Sequence, residues 1–424
     1  MNSTRSRRWS RLDNAAKIFP SNSTPSDSKV FRFACELAEP VDPAALQAAL
    51  ERTMERFPLY RSVMKRGAFW YYLEDSDLPA AVQPEETPPC EPIYDRERRS
   101  LLFRVLYYGR RISLEIHHAL ADGTGALQFL CALVYRYLLE RHPEDFAGAP
   151  PELPWGGSRF QEQADSFQKY YEKSASVRSR RARSAYKLRG ERMPENRLAV
   201  VEGRMSLGGL LERARSMGLT LTELMTAVLI RSIHEGMRLR DERRPVAITI
   251  PVNLRGYFPS ASTRNFFATI AVRYDFSRQE DSLEAVAAHV RRSFRESLTE
   301  EKLRGRMNEL CALEHSIPLR LVPLPLKDLV LRLANYLADR TATASFSNVG
   351  RVDMPAGMER YIRLFDVFTS PNTLQACACS FGDNYVVSFA GPFVSHDVER
   401  AFFRSLTGLG IDVTITTNLL DAGE

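Results

Sequence analysis

The feature that most constrains the fold is a change of hydrophobic period in the first third of the chain. From Arg111 to His117, apolar and polar residues alternate as they do along a half-buried strand. After Asp122-Gly123, apolar residues recur at helical spacing as far as Arg141. A strand, a short turn and a helix therefore follow one another directly, and such junctions in α/β folds commonly carry functional residues.

The junction, residues 117–123, reads HHALADG. With seven histidines and 22 glycines in 424 residues, this combination arises by chance in roughly one of three thousand such chains. If the strand continues through His118, that side chain lies on the inward face with Ile112 and Ile116, and His117 lies on the opposite face. A neutral, partly desolvated imidazole at His118 can accept a proton from a hydroxyl or amine that attacks an activated carbonyl.

Other interpretations fit parts of the junction. An isolated histidine pair at a strand end is commonly structural. A metal site would use His117, His118 and Asp122, but adjacent strand residues face opposite ways and no second cluster of ligands completes a shell, so we expect no metal. A phosphate loop at residues 123–125 lacks the glycine spacing and the final Lys-Ser/Thr of that motif. Gly123 and Gly125 instead leave room for close approach of backbone or ligand.

Length and composition describe a globular chain with more than one core. The chain has 424 residues, 44% of them hydrophobic, and its 58 Lys+Arg against 52 Asp+Glu leave a charge of +6 that does not by itself indicate nucleic acid. A Pro/Gly-rich stretch at 147–157 and a polar segment at 159–192 separate two regions of strands and helices. We predict an N-terminal unit at 1–150, a linker at 151–197 and a C-terminal unit at 198–424.

The cysteines and apolar runs bear on the compartment. Six cysteines in a chain of this length are too sparse for a disulfide framework. The N-terminal residues carry arginines but lead into no apolar stretch, and runs such as Leu224–Ile230 are too short to span a bilayer. We expect a cytoplasmic, monomeric protein without a transmembrane segment.

On these residues the chain resembles the CoA-dependent acyltransferase superfamily that shares the His-His-x-x-x-Asp-Gly motif. Residues 9–17 (WSRLDNAAK), taken with the junction, look most like its bacterial alcohol acetyltransferase-like and condensation-domain-like members. Residues 251–255 (PVNLR) resemble the family's Pro-Val-x-x-Arg segment, and residues 345–350 (SFSNVG) its Ser/Thr-Asn-x-Gly stretch. The Asp-Phe-Gly-Trp-Gly motif of the plant branch is absent. Residues 381–384 (FGDN) are typical of a hairpin turn instead.

The resemblance implies an α/β fold in which two chloramphenicol acetyltransferase-like subdomains form a V-shaped pseudo-dimer around a central channel. It also implies a set of site residues: His118 as general base, Asp122 paired with Arg255 across the two halves, His117 and Gly123 completing the motif, and Ser347 and Asn348 as hydrogen-bond donors to an oxyanion. A simple turn explains residues 348–350 equally well.

The implied reaction moves an acyl group, acetyl or another short acyl, from acyl-CoA to a small alcohol or amine without a covalent enzyme intermediate. Acyl-CoA is then a co-substrate, and no cofactor is permanently bound. Two alternatives stay open: a donor tethered to an acyl carrier protein, and a non-catalytic binding module of the same fold, against which the complete motif argues. The basic residues of 178–192 fit CoA phosphates or an acidic carrier, although a solvated linker explains them more simply.

Overall fold

The computed structural model describes residues 9–148, 153, 165–172, 183–315 and 321–419. We call residues 9–148 the first half and the described residues from 165 to 419 the second half. Among the described residues the strands form a five-stranded, a seven-stranded and a three-stranded sheet. About half of the predicted linker, including the arginines at 178, 180 and 181, lies outside the described residues.

The first half begins with a small sheet and continues into an α/β unit. Its elements are β1 Trp9–Arg11, α1 Phe19–Asn22, β2 Val30–Leu37, α2 Pro43–Arg56, β3 Ser62–Arg66, β4 Tyr71–Asp75, β5 Val82–Pro84, β6 Phe103–Tyr108, β7 Arg111–His117 and α3 Gly123–Arg141. Strands β1, β4 and β3 form the three-stranded antiparallel sheet. Helices α2 and α3 pack on each other and against β2, β5 and β7.

The second half is built around the seven-stranded sheet. From residue 165 onward the elements are α4 Ser166–Tyr170, β8 Ala199–Ser206, α5 Leu207–Ser216, α6 Leu221–Glu235, β9 Val246–Asn253, β10 Phe267–Tyr274, α7 Leu283–Ser297, α8 Glu300–His315, α9 Leu324–Asp339, β11 Ala344–Arg351, β12 Ile362–Thr369, β13 Leu374–Phe381, β14 Asn384–Gly391, α10 Asp397–Gly408 and β15 Thr414–Thr417. The sheet order is β10-β9-β11-β13-β14-β8-β15, and α6 packs against α7 and α10.

One strand of the second half belongs to the sheet of the first. Strand β12 pairs antiparallel with β2, from Phe31 opposite Thr369 to Leu37 opposite Ile362, and so completes the five-stranded order β12-β2-β7-β6-β5. The Arg111 side chain on β7 reinforces this joint, because it donates to Asp366 on β12 at 2.8 Å and to Glu202 on β8. The two halves therefore share a strand and an ion-pair network.

Local sequence signals account for many element ends. Asp42 caps α2 ahead of Pro43, and Thr220 with Glu223 forms a capping box at the start of α6. The predicted hairpin turn within 381–384 is present, a second one lies at 109–110, and each places its glycine at positive φ. Strand β4 begins at Tyr71, because Gly67 donates its N–H to the Trp70 carbonyl and residues 67–70 form the turn.

Each half has a core of its own. The first core packs α2 and α3 side chains such as Leu50 and Phe129 against the five-stranded sheet, and the second packs Val228 of α6 and Phe402 of α10 against the seven-stranded sheet. No single described helix is both long and apolar enough to cross a membrane, whereas α5 and α6, bent by 82° at their break, pass that test only as a pair.

Candidate active site

The His118 imidazole lies in an aromatic setting between the halves. Its ring stacks on Phe19 at a centroid distance of 4.4 Å and contacts Phe31 at 4.9 Å and Phe267 at 5.7 Å. The expectation that the strand continues through His118 is wrong, since β7 ends at His117 and His118 begins the turn. The backbone N–H of His118 donates to the Lys29 carbonyl at 2.8 Å. The side chain is partly desolvated because the three aromatic rings pack around it, and not because it lies on the inward face of a strand.

Asn265 of the second half fixes which nitrogen of His118 carries the proton. The Asn265 Nδ2 group donates to the His118 carbonyl and to Asp13 Oδ2, each at 3.1 Å. Its Oδ1 atom therefore faces His118 Nδ1 at 3.0 Å and accepts a hydrogen bond from it. In this tautomer Nδ1 bears the proton, and Nε2 keeps the lone pair that a general base needs.

Asp13 supports Asn265 from behind. Asp13 is fully buried and also accepts from the backbone N–H of Ala16 at 2.7 Å. Arg264 Nε lies 3.7 Å from Asp13 Oδ2, which brings a cation to the buried carboxyl group. Burial raises the pKa of Asp13, and the Arg264 charge opposes that rise. Asp13, Asn265 and His118 thus form one hydrogen-bonded chain across the two halves.

The surroundings keep the His118 imidazole neutral. Burial lowers the pKa of His118 below its usual value, and the charges of Asp122 and Asp13 and the Asn265 hydrogen bond only partly oppose that shift. A neutral imidazole with a free Nε2 is the form that accepts a proton.

His117 has a different setting from its neighbour. It is fully buried, its Nδ1 accepts from the Ala119 N–H at 3.2 Å, and Tyr94 lies against its ring edge at 5.8 Å. Burial lowers the pKa of His117 to about 3, and the His118 and Lys29 charges act in the same direction. The geometry makes His117 a neutral side chain that shapes the turn.

Asp122 and Arg255 form the ion pair that the resemblance implies. Arg255 Nη1 lies 2.8 Å from Asp122 Oδ2, and Nη2 lies 3.3 Å from Oδ1. The same carboxylate caps α3 through the Gly125 N–H at 3.0 Å and accepts from the Phe266 N–H at 2.9 Å. Arg255 also donates to the carbonyls of Ser262 and Arg264. The pair therefore joins the 117–123 turn to the 262–266 loop that carries Asn265.

The two glycines of the junction differ in what they allow. A Cβ atom on Gly125 would lie 1.9 Å from the Thr263 carbonyl oxygen, so only glycine permits this approach of α3 to the second half. A Cβ atom on Gly123 would meet nothing closer than Phe33 Cζ at 3.9 Å, which is ordinary contact. The expected close approach of backbone is present at Gly125, whereas no described backbone atom approaches Gly123 in this way.

His118 opens onto a cavity of about 260 Å³, which we call the His118 cavity. Its charged lining consists of Asp27, Lys29, Lys187 and Asp339. Two further polar side chains, Ser345 on β11 and Gln375 on β13, stand opposite each other in the parallel strand pair. Sequence reasoning assigned neither a role, and their positions follow from a strand pairing that no local pattern reveals.

The predicted oxyanion donors lie farther along β11. Ser347 is on the same strand face as Ser345, two residues on. Asn348 is occupied elsewhere, since its Nδ2 donates to Thr222 Oγ1 at 3.0 Å and its Oδ1 accepts from the Gly350 N–H at 3.0 Å. Asn348 thus connects an irregularity within β11 to the start of α6. The simple turn of the alternative interpretation is absent, because β11 continues to Arg351 through a register shift between Asn348 and Gly350.

Potential metal ligands meet away from the junction. In the described part of the chain, the one group with mutually close ligand atoms is His142, Glu144 and Asp145, just beyond α3. His142 stacks on Tyr361 at 4.0 Å, and Asp145 pairs with Arg360 at 2.9 Å. These contacts account for the group without an ion.

Comparisons with known proteins identify the fold. No protein-family model and no curated protein matches the sequence. Solved structures do match over nearly the whole chain. Polyketide synthase associated protein 5 from Mycobacterium tuberculosis is 16% identical, with a TM-score of 0.58 over 94% of this chain and 96% of that one. Trichothecene 15-O-acetyltransferase from Fusarium sporotrichioides is 12% identical, with a TM-score of 0.61 over 96% of each chain.

A third match is the first condensation domain of the calcium-dependent antibiotic synthetase in complex with a substrate analogue. It is 15% identical, with a TM-score of 0.61 over 95% of this chain and 96% of that chain. The chain thus has the CoA-dependent acyltransferase fold, related to chloramphenicol acetyltransferase, and the expected α/β pseudo-dimer is confirmed.

Proposed function

We propose that this chain, which has the CoA-dependent acyltransferase fold, transfers an acyl group, acetyl or another short acyl, from acyl-CoA to an alcohol. The observation that carries the proposal is the His118–Asn265 pair, which leaves a neutral imidazole with its Nε2 lone pair free beside a cavity. The matching folds include an acetyltransferase solved with coenzyme A and a starter condensation domain solved with an acyl-CoA, and this supports acyl-CoA as co-substrate.

The proposed reaction uses His118 twice. Nε2 accepts the proton of the acceptor hydroxyl while the hydroxyl oxygen attacks the thioester carbonyl carbon. The tetrahedral oxyanion then collapses, the carbon–sulfur bond breaks, and His118 returns the proton to the leaving thiolate. No covalent bond to the enzyme forms, and the products are an ester and free CoA.

The oxyanion requires a donor, and β11 carries two hydroxyl groups that can serve. We propose Ser345 and Ser347, because they share a strand face and Ser345 lines the His118 cavity. Asn348 serves in this scheme as a positioning residue through Thr222. The charged lining of the cavity is balanced, since Lys29 pairs with Asp27 and Lys187 lies in the same lining as Asp339, so we assign it no phosphate contact.

The division of the chain follows the same proposal. We propose an N-terminal subdomain at 1–150, a linker at 151–197 and a C-terminal subdomain at 198–424. Strand β12 of the C-terminal subdomain pairs with β2 in the sheet of the N-terminal subdomain. We also propose a monomer in the cytoplasm, where a reducing environment suits six buried cysteine side chains.

A thiol-release assay tests the proposal. The full chain is incubated with acetyl-CoA and an alcohol, and free thiol and ester are measured together. We expect thiol release that depends on the alcohol and matches ester formation mole for mole. Release only from an acyl carrier protein donor would favour the condensation-like alternative, release with an amine alone would assign N-acylation, and no release from any donor would favour a binding module.

A further inference from the structure

Helix α9 presents its apolar side to solvent. Six large apolar side chains, between 42% and 65% exposed, lie within one arc of the helix because they recur at spacings of three and four residues. We call this arc the α9 apolar face; it consists of Leu326, Leu329, Val330, Leu333, Tyr336 and Leu337. An amphipathic helix of a globular protein normally turns such an arc toward its core, and contiguous exposed apolar patches commonly mark interaction sites.

The polar side of α9 holds the helix in this orientation. Lys327 and Asp328 are only 4% and 6% exposed. Lys327 Nζ donates to the Phe69 carbonyl at 2.9 Å and lies 3.5 Å from the centroid of the Trp70 ring. Asp328 accepts from the Tyr71 hydroxyl at 2.9 Å. Rotating the apolar arc inward would break each of these buried contacts.

The apolar surface continues past the first turn of α9. The backbone N–H of Leu324 bonds to the Ala68 carbonyl, which ties the helix start to the β3–β4 turn. Beside this turn lies a cleft of about 620 Å³ lined mainly by aromatic and aliphatic side chains. Trp9, Phe69 and Leu321 are exposed in it. Trp and Tyr at the border of an apolar surface are typical of side chains that sit at a membrane–water interface.

The sequence that adjoins Trp9 and the sequence that precedes residue 183 are both basic. Residues 1–8, joined directly to Trp9, contain Arg5, Arg7 and Arg8 and no acidic residue. At the other end of α9, Ser184 Oγ donates to the Arg340 carbonyl and Lys187 Nζ donates to the Ala342 carbonyl. The chain just before residue 183 carries arginines at 178, 180 and 181. This charge distribution is complementary to an anionic lipid surface.

The same helix leads to the His118 cavity. Asp339, the last residue of α9, and Ala342 line that cavity. Helix α1 packs on α9, and Phe19 of α1 stacks on the His118 ring. One end of the α9 apolar face is therefore adjacent to the His118 cavity.

We propose that the α9 apolar face, with Trp9 and Phe69, docks on an anionic lipid bilayer and that the acyl acceptor is an apolar alcohol dissolved in that bilayer. The identity of the acceptor rests on the proposed acyltransferase function, whereas the docking does not. A second copy of the chain on the same surface is an outcome that the test below distinguishes.

Vesicle flotation tests the docking. The full chain is mixed with vesicles of about 70:30 phosphatidylcholine to phosphatidylglycerol and with vesicles of phosphatidylcholine alone. We expect the protein to float with the mixed vesicles and to bind the neutral ones more weakly. Replacing Leu333 and Tyr336 together by serine should lower the bound fraction by about tenfold, because both side chains lose their insertion into the lipid.

A matched control uses the same residue types at exposed positions elsewhere. Leu239 and Tyr108 are exposed and lie away from α9 in the chain, so the double change to serine there should leave flotation as in the parent.

Equal flotation of both double variants would overturn the proposal, as would a parent protein that stays with the buffer. A parent that sediments as a dimer and becomes monomeric only on changing Leu333 and Tyr336 would overturn it in favour of a second copy. The parent could also fail to float and instead bind an acyl carrier protein tightly. If the same two changes abolished that binding, the result would overturn the proposal in favour of a protein partner.

Activity separates the two parts of the inference. We compare kcat/KM for a long-chain alcohol carried in the mixed vesicles with kcat/KM for a short water-soluble alcohol. The ratio of the first to the second should be about tenfold lower in the Leu333/Tyr336 variant than in the parent. Equal losses for both alcohols would overturn the membrane-dissolved acceptor while leaving docking intact. Flotation without any acyl transfer would count against the proposed function and not against the docking surface.

Discussion

His118 and Asn265 are joined by two hydrogen bonds across the two halves of the protein. The ring nitrogen Nδ1 and Asn265 Oδ1 are 3.0 Å apart, and Asn265 Nδ2 lies 3.1 Å from the His118 carbonyl oxygen. The residue that fixes the tautomer of His118 therefore comes from the opposite half of the chain.

Asn265 is expected to act as a positioning residue. Replacing it by leucine removes the acceptor for Nδ1–H, so we expect kcat to fall by about 10–100-fold with little change in KM. Asn384, which donates to a backbone carbonyl in an exposed hairpin, provides a matched Asn→Leu control that should keep the parent's kcat. Steady-state kinetics with acetyl-CoA measures both, and an equal loss in the two variants would contradict the role of Asn265.

The pH dependence of kcat/KM should report the neutral state of His118. Because burial lowers the pKa of His118, the acidic limb of the profile should lie below about pH 6.5, the ordinary value for histidine. In Asn265→Leu the hydrogen bond that partly opposes this shift is lost, so the pKa of His118 should fall further and the limb should move to lower pH. A limb that stays in place in this variant would argue against the contact.

Breaking the Asp122–Arg255 pair should cost stability as well as rate. Both side chains are largely buried, and removing one partner leaves the other charge without its counter-ion. We expect Arg255→Ala to lower the free energy of unfolding by about 3–5 kcal/mol. Arg304, whose partners Glu172 and Glu300 are exposed, gives a matched Arg→Ala control with an expected change below about 1 kcal/mol. Denaturant unfolding with equal midpoints for both variants would contradict this account.

The two junction glycines should respond differently to a methyl group. In Gly125→Ala the new Cβ collides with the Thr263 carbonyl, so the 262–266 loop must move and carry Asn265 away from His118. We expect a loss of about 1–3 kcal/mol in stability together with most of the activity. Gly123→Ala, whose Cβ meets only Phe33 at 3.9 Å, should retain both. Thermal unfolding and thiol release compare the pair, and the reverse order would contradict the geometry.

His117 should make the folded protein sensitive to acid. Its pKa is about 3 in the folded protein, because of burial, and about 6.5 when unfolded. The unfolded state therefore binds the extra proton, and stability is lost as the pH falls from about 6.5 toward 3. His117→Leu removes this group, so its midpoint of unfolding should depend less on pH across that range. Parallel curves for parent and variant would show that His117 does not contribute.

The parts of the site that sequence predicted are those encoded locally. The change from strand to helix around residues 117–123 and the hairpin turn at 381–384 follow from short-range patterns, and the pairing of Asp122 with Arg255 followed from a family resemblance. Asn265 and Ser345 were missed, because an irregular loop and a parallel strand pairing bring them to His118 and neither leaves a periodic signal. Asp13 lay in the resembling segment at 9–17, where nothing local indicated its role.

The outward orientation of α9 also escaped sequence reasoning, for a physical reason. Its apolar spacing is that of an ordinary core helix, and only tertiary contacts show which side is buried. Those contacts hold Lys327 and Asp328 against the β3–β4 turn. Similarly, no pattern within 362–369 indicates that β12 joins the sheet of the first half.

The most direct test of the central claim is the rate of CoA thiol release from acetyl-CoA by His118→Ala, with an alcohol present and the fold checked by circular dichroism. His142→Ala, which changes a histidine stacked on Tyr361 beyond α3, is the matched control. The account predicts that kcat/KM falls by about 10²–10⁴-fold in His118→Ala and stays near the parent value in His142→Ala. A folded His118→Ala protein that releases thiol at the parent rate would contradict it.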